Sequence, residues 1–294
     1  MPERYTRRRM GDRSDGRRLR TVSPVFLLTP FLMRSPSDTL HSFTDHTDTA
    51  AMEAWLKEKR AEGREDISLV HIFIAAYVRT LAHRPAMNRF VSGRFIYARD
   101  RIDVVLSSGR SGSAENGARS AKVHFLPTDT IYDVCRKINS QLDGLKADEE
   151  AGRMERLAAT LVKTPRFLLR AATAVIRWLD YHGWLGDGWI EASPFHCSIM
   201  LTDLASIKTN SIHHHIYNFG TLPVFLAFGT KRHAYEVDKY GNVLDKKYVD
   251  AKAVVDEGIV DGHYFAQFFQ AYQYMFAHPE ILEAPPTKVV EDIF

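Results

Sequence analysis

From His213 to Asp256 the chain reads "HHHIYNFGTLPVFLAFGTKRHAYEVDKYGNVLDKKYVDAKAVVD": loop, strand, hairpin, strand. The turn is "DKYGN", where aspartate, glycine and asparagine supply the backbone freedom a reversal needs. A two-stranded hairpin is only marginally stable by itself, so this block commits the chain to a larger sheet. The segments before it alternate helical and extended patterns, which makes the class α+β, a mixed sheet with helices packed on it.

The helical segments are "DTAAMEAWLKEKRAEG", stopped by Gly63, and "SLVHIFIAAYVRTLAHRP", with Leu69, Phe73, Ala76 and Leu81 facing inward and Pro85 just past its end. "DTIYDVCRKINSQLDGLK" is a third, with Thr128 or Asp129 as its cap. Another helical region runs from about Glu149 to His182, and the last starts near Asp261 and stops before Pro279. "RFVSGRFIYARDRIDVVLSS" is expected to form two strands around a turn near Ala98–Arg101. "AKVHFLP" and "HCSIMLTDL" are further strands, and proline-punctuated "PVFLLTPFLM" (Pro24–Met33) reads as an extended edge segment. The division expected is a basic arm over 1–23, a core domain over 24–286 and a tail over 287–294.

The 294 residues carry a net charge of only +3, so no global case for nucleic acid exists. The charge is uneven: eight arginines lie between Arg4 and Arg20, a pattern that suits phosphates, acidic lipid or a neighbouring subunit, or a solvated terminus. Two cysteines, Cys135 and Cys197, fit a reducing compartment, and the expected location is cytoplasmic. Neither has metal-ligand spacing, and no metal is expected. The basic N-terminus lacks the apolar core of a signal peptide, and no run is long enough to span a membrane. The most apolar helical stretch, "FLLRAATAVIRWL", is broken by Arg170 and Arg177 and reads as a buried or interface helix.

The chemistry-bearing segment is "DEGIVDG", Asp256–Gly262: a strand runs into a glycine turn, and Asp261-Gly262 open an aromatic helix. The pattern resembles "DHRxxDG" of the chloramphenicol acetyltransferase superfamily, most closely the catalytic core of the 2-oxo acid dehydrogenase acyltransferases. "SIMLTDLA" (Ser198–Ala205) is similar to the family strand "TFTISNLG", and "LVHIFIAAYVRTLAHRPAMNRFV" to the helix that ends in its "hP.lN" turn. The resemblance covers about Phe26 to Pro286. It implies a two-layer sandwich that assembles as a homotrimer or larger, an acyl-coenzyme A cofactor, and a small acyl acceptor or thioester as partner. In such sites a histidine deprotonates the acceptor and a hydroxyl stabilises the tetrahedral oxyanion, the two coming from neighbouring subunits. Carried over, Thr202 takes the hydroxyl role and Asp261 orders the turn. The histidine position holds Glu257, and the family arginine falls on Pro36, with Arg34 two residues earlier.

A glutamate is a weaker base than imidazole by roughly two pKa units, and its charge opposes a developing oxyanion. The candidates to replace it are histidines. His263 sits on the first turn of the last helix and points away. Of the triplet His213–His215, whose adjacent side chains diverge, His214 is the candidate base; packing at a subunit contact is the ordinary alternative. Lys231 and Arg232 would meet the phosphates of coenzyme A, or else flank a solvated hairpin. Trp178, Tyr181, Trp184 and Trp189 form an aromatic wall or a packing stripe. "SSGRSGSAENG" lacks the lysine and strand-loop-helix context of a phosphate loop. No lipoyl domain is recognisable in the chain. Two functions follow: a coenzyme A-linked acyltransferase with an atypical site, or a non-catalytic trimeric scaffold or acyl-binding module.

Overall fold

The computed structural model describes residues 8–33, 35–108, 119–146 and 163–292. Arg34, the polar loop at 109–118 and the beginning of the helical region expected from Glu149 lie outside the described residues.

The hairpin is present as β8 (Val224–Val237) and β9 (Val243–Asp256). Asp238 closes its turn by accepting from the backbone of Tyr240 at 2.8 Å and Asn242 at 2.9 Å. β9 pairs antiparallel with β2 (Leu40–Asp48). On its other side β8 runs parallel to β7 (Ile199–Asp203), which runs parallel to β5 (Ile102–Ser108). β6 (Arg119–Phe125) completes the six-stranded mixed sheet antiparallel to β5.

One sheet face packs on α2 (Ala50–Ala61), α3 (Leu69–His83), α4 (Ile131–Lys146) and α7 (Gly262–Ala277). α3 lies between sheet and α7 and is buried on all sides from His71 to Ala82, beyond the single inner stripe expected. Its Phe73 stacks on Phe228 of β8 at 5.1 Å and meets Phe276 of α7 edge-on at 4.9 Å. The opposite face carries a smaller cluster: Val105, Met200, Phe225 and Val254 beneath Ile216 and Leu222 of the preceding loop.

Residues 89–108 form three strands rather than two. β3 (Arg89–Ser92) and β4 (Phe95–Arg99) reverse at Gly93-Arg94, both left-handed with φ +56° and +62°. That is the mirror-image turn preferred by tight hairpins; no Asn-Gly or Asp-Gly pair announced it. Gly93 is required twice over, because a Cβ there would sit 2.3 Å from the Tyr181 carbonyl oxygen. β1 (Gly16–Arg18) joins β4 in a small sheet, so the basic N-terminal segment contributes a strand.

Arg13 of that segment is buried and anchors it. Its guanidinium pairs with Asp15 at 2.8 Å and Asp180 at 2.9 Å and donates to Ser92 Oγ at 2.8 Å. Burial opposes its charge, but the two carboxylates outweigh burial and raise its pKa.

The segment expected to be an extended edge is a helix, α1 (Pro24–Leu32). Pro24 occupies the first turn, where its fixed φ suits a helix and its missing N–H is not needed. Pro30 comes in the last turn, where little helix remains to disrupt. α4 is capped by Thr130 rather than Thr128 or Asp129: the Thr130 hydroxyl accepts from Asp133 N at 3.3 Å, and the Asp133 carboxylate accepts from Thr130 N at 3.1 Å. Asp129 instead accepts from Leu126 N at 2.8 Å.

α5 (Arg166–Tyr181), which covers the apolar stretch expected to be buried or at an interface, buries only Asp180; the short α6 (Asp187–Ala192) follows. The tail is irregular but tied down, Val290 N donating to Ala82 O at 2.7 Å. Among the described residues no helix is long and apolar enough to cross a membrane.

Candidate functional site

Thr202 lies in β7 opposite Ser107 of β5 and Ala227 of β8. Strand alternation puts Leu201 in the helix-side core and Thr202 on the other face with Met200. It is half-buried, and its hydroxyl has no hydrogen-bond partner among the described residues.

The histidine triplet crosses this same face. The crossing is close: a Cβ on Gly229 of β8 would lie 2.3 Å from Ser211 N. Beyond that point the three rings diverge. His213 Nε2 meets Thr44 Oγ1 of β2 at 3.1 Å, and His215 packs edge-on to Tyr217 at 4.9 Å. His214 stacks on Phe225 with 4.2 Å between centroids and 17° between planes. Its Nε2 is buried without a partner. Burial, with His215 adding to it, pulls the His214 pKa below the ordinary histidine value, so the ring is neutral at pH 7. Phe225 is opposite Met200, two residues before Thr202, so the diagonal from Thr202 to the residue beneath His214 is on the order of 8 Å.

The "DEGIVDG" turn lies elsewhere. Across the sheet, Thr202 aligns with Ala227 and then Lys252, and Glu257 is five residues past Lys252. At about 4.8 Å per strand and 3.3 Å per residue, Glu257 is roughly 19 Å from Thr202 of the same chain. Glu257 is exposed and in no ion pair with a described residue; its backbone N–H donates to Thr39 O at 2.9 Å. Asp261 caps α7, accepting from Tyr264 N at 2.7 Å. His263 meets Gln267 at 2.8 Å on the exposed first turn.

Sequence reasoning passed over the neighbour of Glu257. Asp256 is buried and accepts from Thr39 Oγ1 at 2.5 Å and Gly258 N at 2.8 Å. Burial pushes its pKa up, against the pull of those donors and of His41. His41, on β2 opposite Val255, is half-buried with its ring 5.0 Å from Phe265. The one signal for Asp256 was its place at the head of the motif; nothing local marked His41.

A cavity of about 720 Å³ opens at the C-terminal end of β7, lined by Asp203 and Ala205, by Leu56, Lys57 and Arg60 of α2, by Phe73 and Phe228, and by Lys231, His233 and Lys247 of the hairpin. Its rim is basic. Lys231 and Lys247 share Glu53, at 2.5 Å and 3.5 Å, and the Lys231 hydrogen bond holds the Glu53 carboxyl below its usual range. Lys57 and Arg60 are exposed with no carboxylate partner among the described residues. Arg232 takes no part in this rim: it grips Asp250 at 3.0 Å and lies over the Tyr248 ring.

Both thiols are buried and pushed up to about 12, chiefly by burial, which leaves them unreactive at neutral pH. Among the described residues no three His, Cys, Asp or Glu side chains are grouped to hold a metal ion. Trp178, Trp184 and Trp189 are exposed and belong to no core cluster.

No protein-family model and no curated protein matches the chain. Solved structures do. A probable dihydrolipoamide acetyltransferase from Listeria monocytogenes 4b F2365 aligns over 92% of this chain and 97% of its own at 13% identity, TM-score 0.53. A truncated catalytic core of the 2-oxoacid dehydrogenase multienzyme complex from Thermoplasma acidophilum aligns over 89% and 98% at 10% identity, TM-score 0.54. The dihydrolipoamide acetyltransferase of Azotobacter vinelandii, studied for the role of a serine, a histidine and an asparagine in its catalytic mechanism, aligns over 88% of both chains at 12% identity, TM-score 0.51. The α+β sandwich expected from the sequence is therefore present: the chain has the fold of the 2-oxo acid dehydrogenase acyltransferase catalytic core.

Proposed function

We propose that this protein is an acyl-coenzyme A-dependent acyltransferase whose proton is handled by His214 rather than by the residue at the family's histidine position. The observation that carries the reading is one sheet face with an unpartnered hydroxyl on Thr202 and a half-buried, neutral imidazole on His214 whose Nε2 has no partner. A thiol or hydroxyl acceptor would lose its proton to His214 Nε2 and attack the thioester carbonyl. Thr202 Oγ1 would donate to the oxyanion as it forms. Collapse of the tetrahedral adduct would expel the coenzyme A thiolate, which recovers the proton from His214.

Lys57, Arg60 and Lys231, on the helix side at the C-terminal end of β7, suit the cofactor's phosphates, and the pantetheine arm would round that strand end to reach the Thr202 face. In a homotrimer of the kind the resemblance implies, a second subunit would bring Glu257 to the Thr202 face, where its carboxylate would orient an acceptor. Asp261 serves as the α7 cap that fixes this turn.

A second reading is a trimeric acyl-coenzyme A-binding module or scaffold without turnover. It is favoured by Glu257 standing where a base is required, and by Lys231 and Arg232 both being satisfied by carboxylates of their own chain. Calorimetric titration with coenzyme A and acetyl-coenzyme A, followed by thioester-cleavage assays, separates the readings. The enzyme reading requires saturable binding, turnover lost in His214→Gln and Thr202→Ala, and weakened binding in Lys57→Ala. Saturable binding without turnover establishes the binding module. No heat at millimolar ligand defeats both cofactor-based readings.

A further inference from the structure

We infer that α5, with α1 and the Trp184 turn, is a surface that lies on anionic membranes. A 16-residue helix ordinarily buries a stripe against its protein; α5 buries only Asp180. At 100° per residue, Arg166, Arg170 and Arg177 fall within a stripe of about 40°. Most of the remaining circumference is apolar, including Phe167 (69% exposed), Val175 and Trp178 (52% exposed). Trp184 (63% exposed) extends the patch, its ring edge-on to Trp178 at 5.2 Å. α1 extends it further. Thr29 and Pro30 of α1 and Arg177 and Tyr181 of α5 line one cavity of about 250 Å³, and Phe31 and Leu32 of α1 are exposed beside it.

Charge selects the occupant. From Lys163 to Tyr181 the single carboxylate, Asp180, is buried against Arg13, so every exposed charge on the segment is positive. Arg94, at the turn between β3 and β4, lies over the Phe31 ring and adds a further cation next to α1. A cationic stripe flanked by Trp, Tyr and Phe matches the boundary between lipid headgroups and acyl chains: rings sit at the interface, arginines meet lipid phosphates, and the helix axis lies in the plane. A two-fold contact with a second copy would instead set like-charged stripes against each other, and a head-to-tail contact is distinguished by the oligomeric-state arm of the test below. The helix is too short to cross, so the contact is peripheral. This inference is independent of the acyl-transfer reading.

The test uses the full chain with phosphatidylcholine vesicles containing about one third phosphatidylserine. Three of the four tryptophans, Trp178, Trp184 and Trp189, are exposed, the first two on this surface, while Trp55 is buried. The chain is expected to sediment with these vesicles and its emission to shift to shorter wavelength. Phosphatidylcholine alone should retain little, and about 0.5 M salt should release most of the protein. The triple substitution R166Q/R170Q/R177Q should lower the partition coefficient at least tenfold, and Phe167→Ser should lower it separately, with the denaturation midpoint unchanged in both. Failure of the wild-type chain to sediment, or equal sedimentation of these variants, overturns the inference. So does a change of oligomeric state in the triple variant with vesicle binding intact, which would make the surface a subunit contact.

Discussion

Two helices of nearly equal length occupy opposite extremes of this molecule. α3 is buried from His71 to Ala82, and α5 buries one side chain. Both are rich in apolar residues, so apolar content does not decide which one is inside. What distinguishes them is what stands opposite. α3 is roofed by the sheet and α7, and two of its polar groups are met there: Tyr77 OH donates to Ser198 O at 3.2 Å, and the Phe73 carbonyl accepts from Tyr272 OH at 3.1 Å. α5 is held at its last turn by an ion pair and otherwise meets little of the described protein. The fold core therefore draws its stability from one helix and not from the other.

Breaking that contrast is simplest at its strong end. Phe73→Ala removes a ring stacked between β8 and α7 and should cost about 3–5 kcal/mol, read as a lower denaturant midpoint. Asp180→Asn weakens the one anchor of α5 and should cost about 2–3 kcal/mol, less than a full broken pair because Arg13 keeps Asp15. It also has a pH signature. Burial alone would raise the carboxyls of Asp15 and Asp180, but their charged and hydrogen-bonding partners win, and both fall below the ordinary aspartate value. The folded state then binds fewer protons than the unfolded, so this stability is present above about pH 4 and is lost as pH falls below it. Asp180→Asn should flatten that acid limb in a pH series of melting curves.

His214→Phe sharpens the contrast from the functional side. It keeps the stack on Phe225 and removes a buried nitrogen without a partner, so stability should stay within about 1 kcal/mol of wild type or rise, while turnover disappears. In the wild type the lowered His214 pKa means that stability rises with pH between the folded value and the ordinary histidine value, and that component should be absent from the variant. The smallest effect belongs to α5: Val175→Ser should move the midpoint by less than about 0.5 kcal/mol, because the side chain is already exposed. A loss comparable to that of Phe73→Ala would show that α5 is covered in solution.

The hairpin, α3, the Gly63 stop and the Asp261 turn were legible because each rests on local chemistry: turn residues, periodicity and caps. The Gly93-Arg94 reversal was not, since an arginine in a left-handed conformation is imposed by its surroundings, the Tyr181 carbonyl and the Pro30 carbonyl that Arg94 reaches at 3.2 Å. α1 was misread because proline marks both strand edges and helix starts. The site divides the same way. Thr202 and the histidine triplet stood out by residue type and order, but whether they share a face follows from strand alternation and a loop crossing no spacing reveals. Asp256 and His41 meet through the pairing of β2 with β9, a long-range fact invisible in either segment.

Gly229 has a backbone conformation open to any residue, so its constraint is spatial rather than torsional. It acts as a spacer of zero thickness between sheet and loop. One methyl group at this position would be a wedge, lifting the chain at Ser211 and tilting the ring three residues further on away from Phe225. The alignment of a candidate proton acceptor is thus set from a different strand, by a side chain that is not there, and the tolerance of that position to substitution measures how exacting the acceptor geometry is.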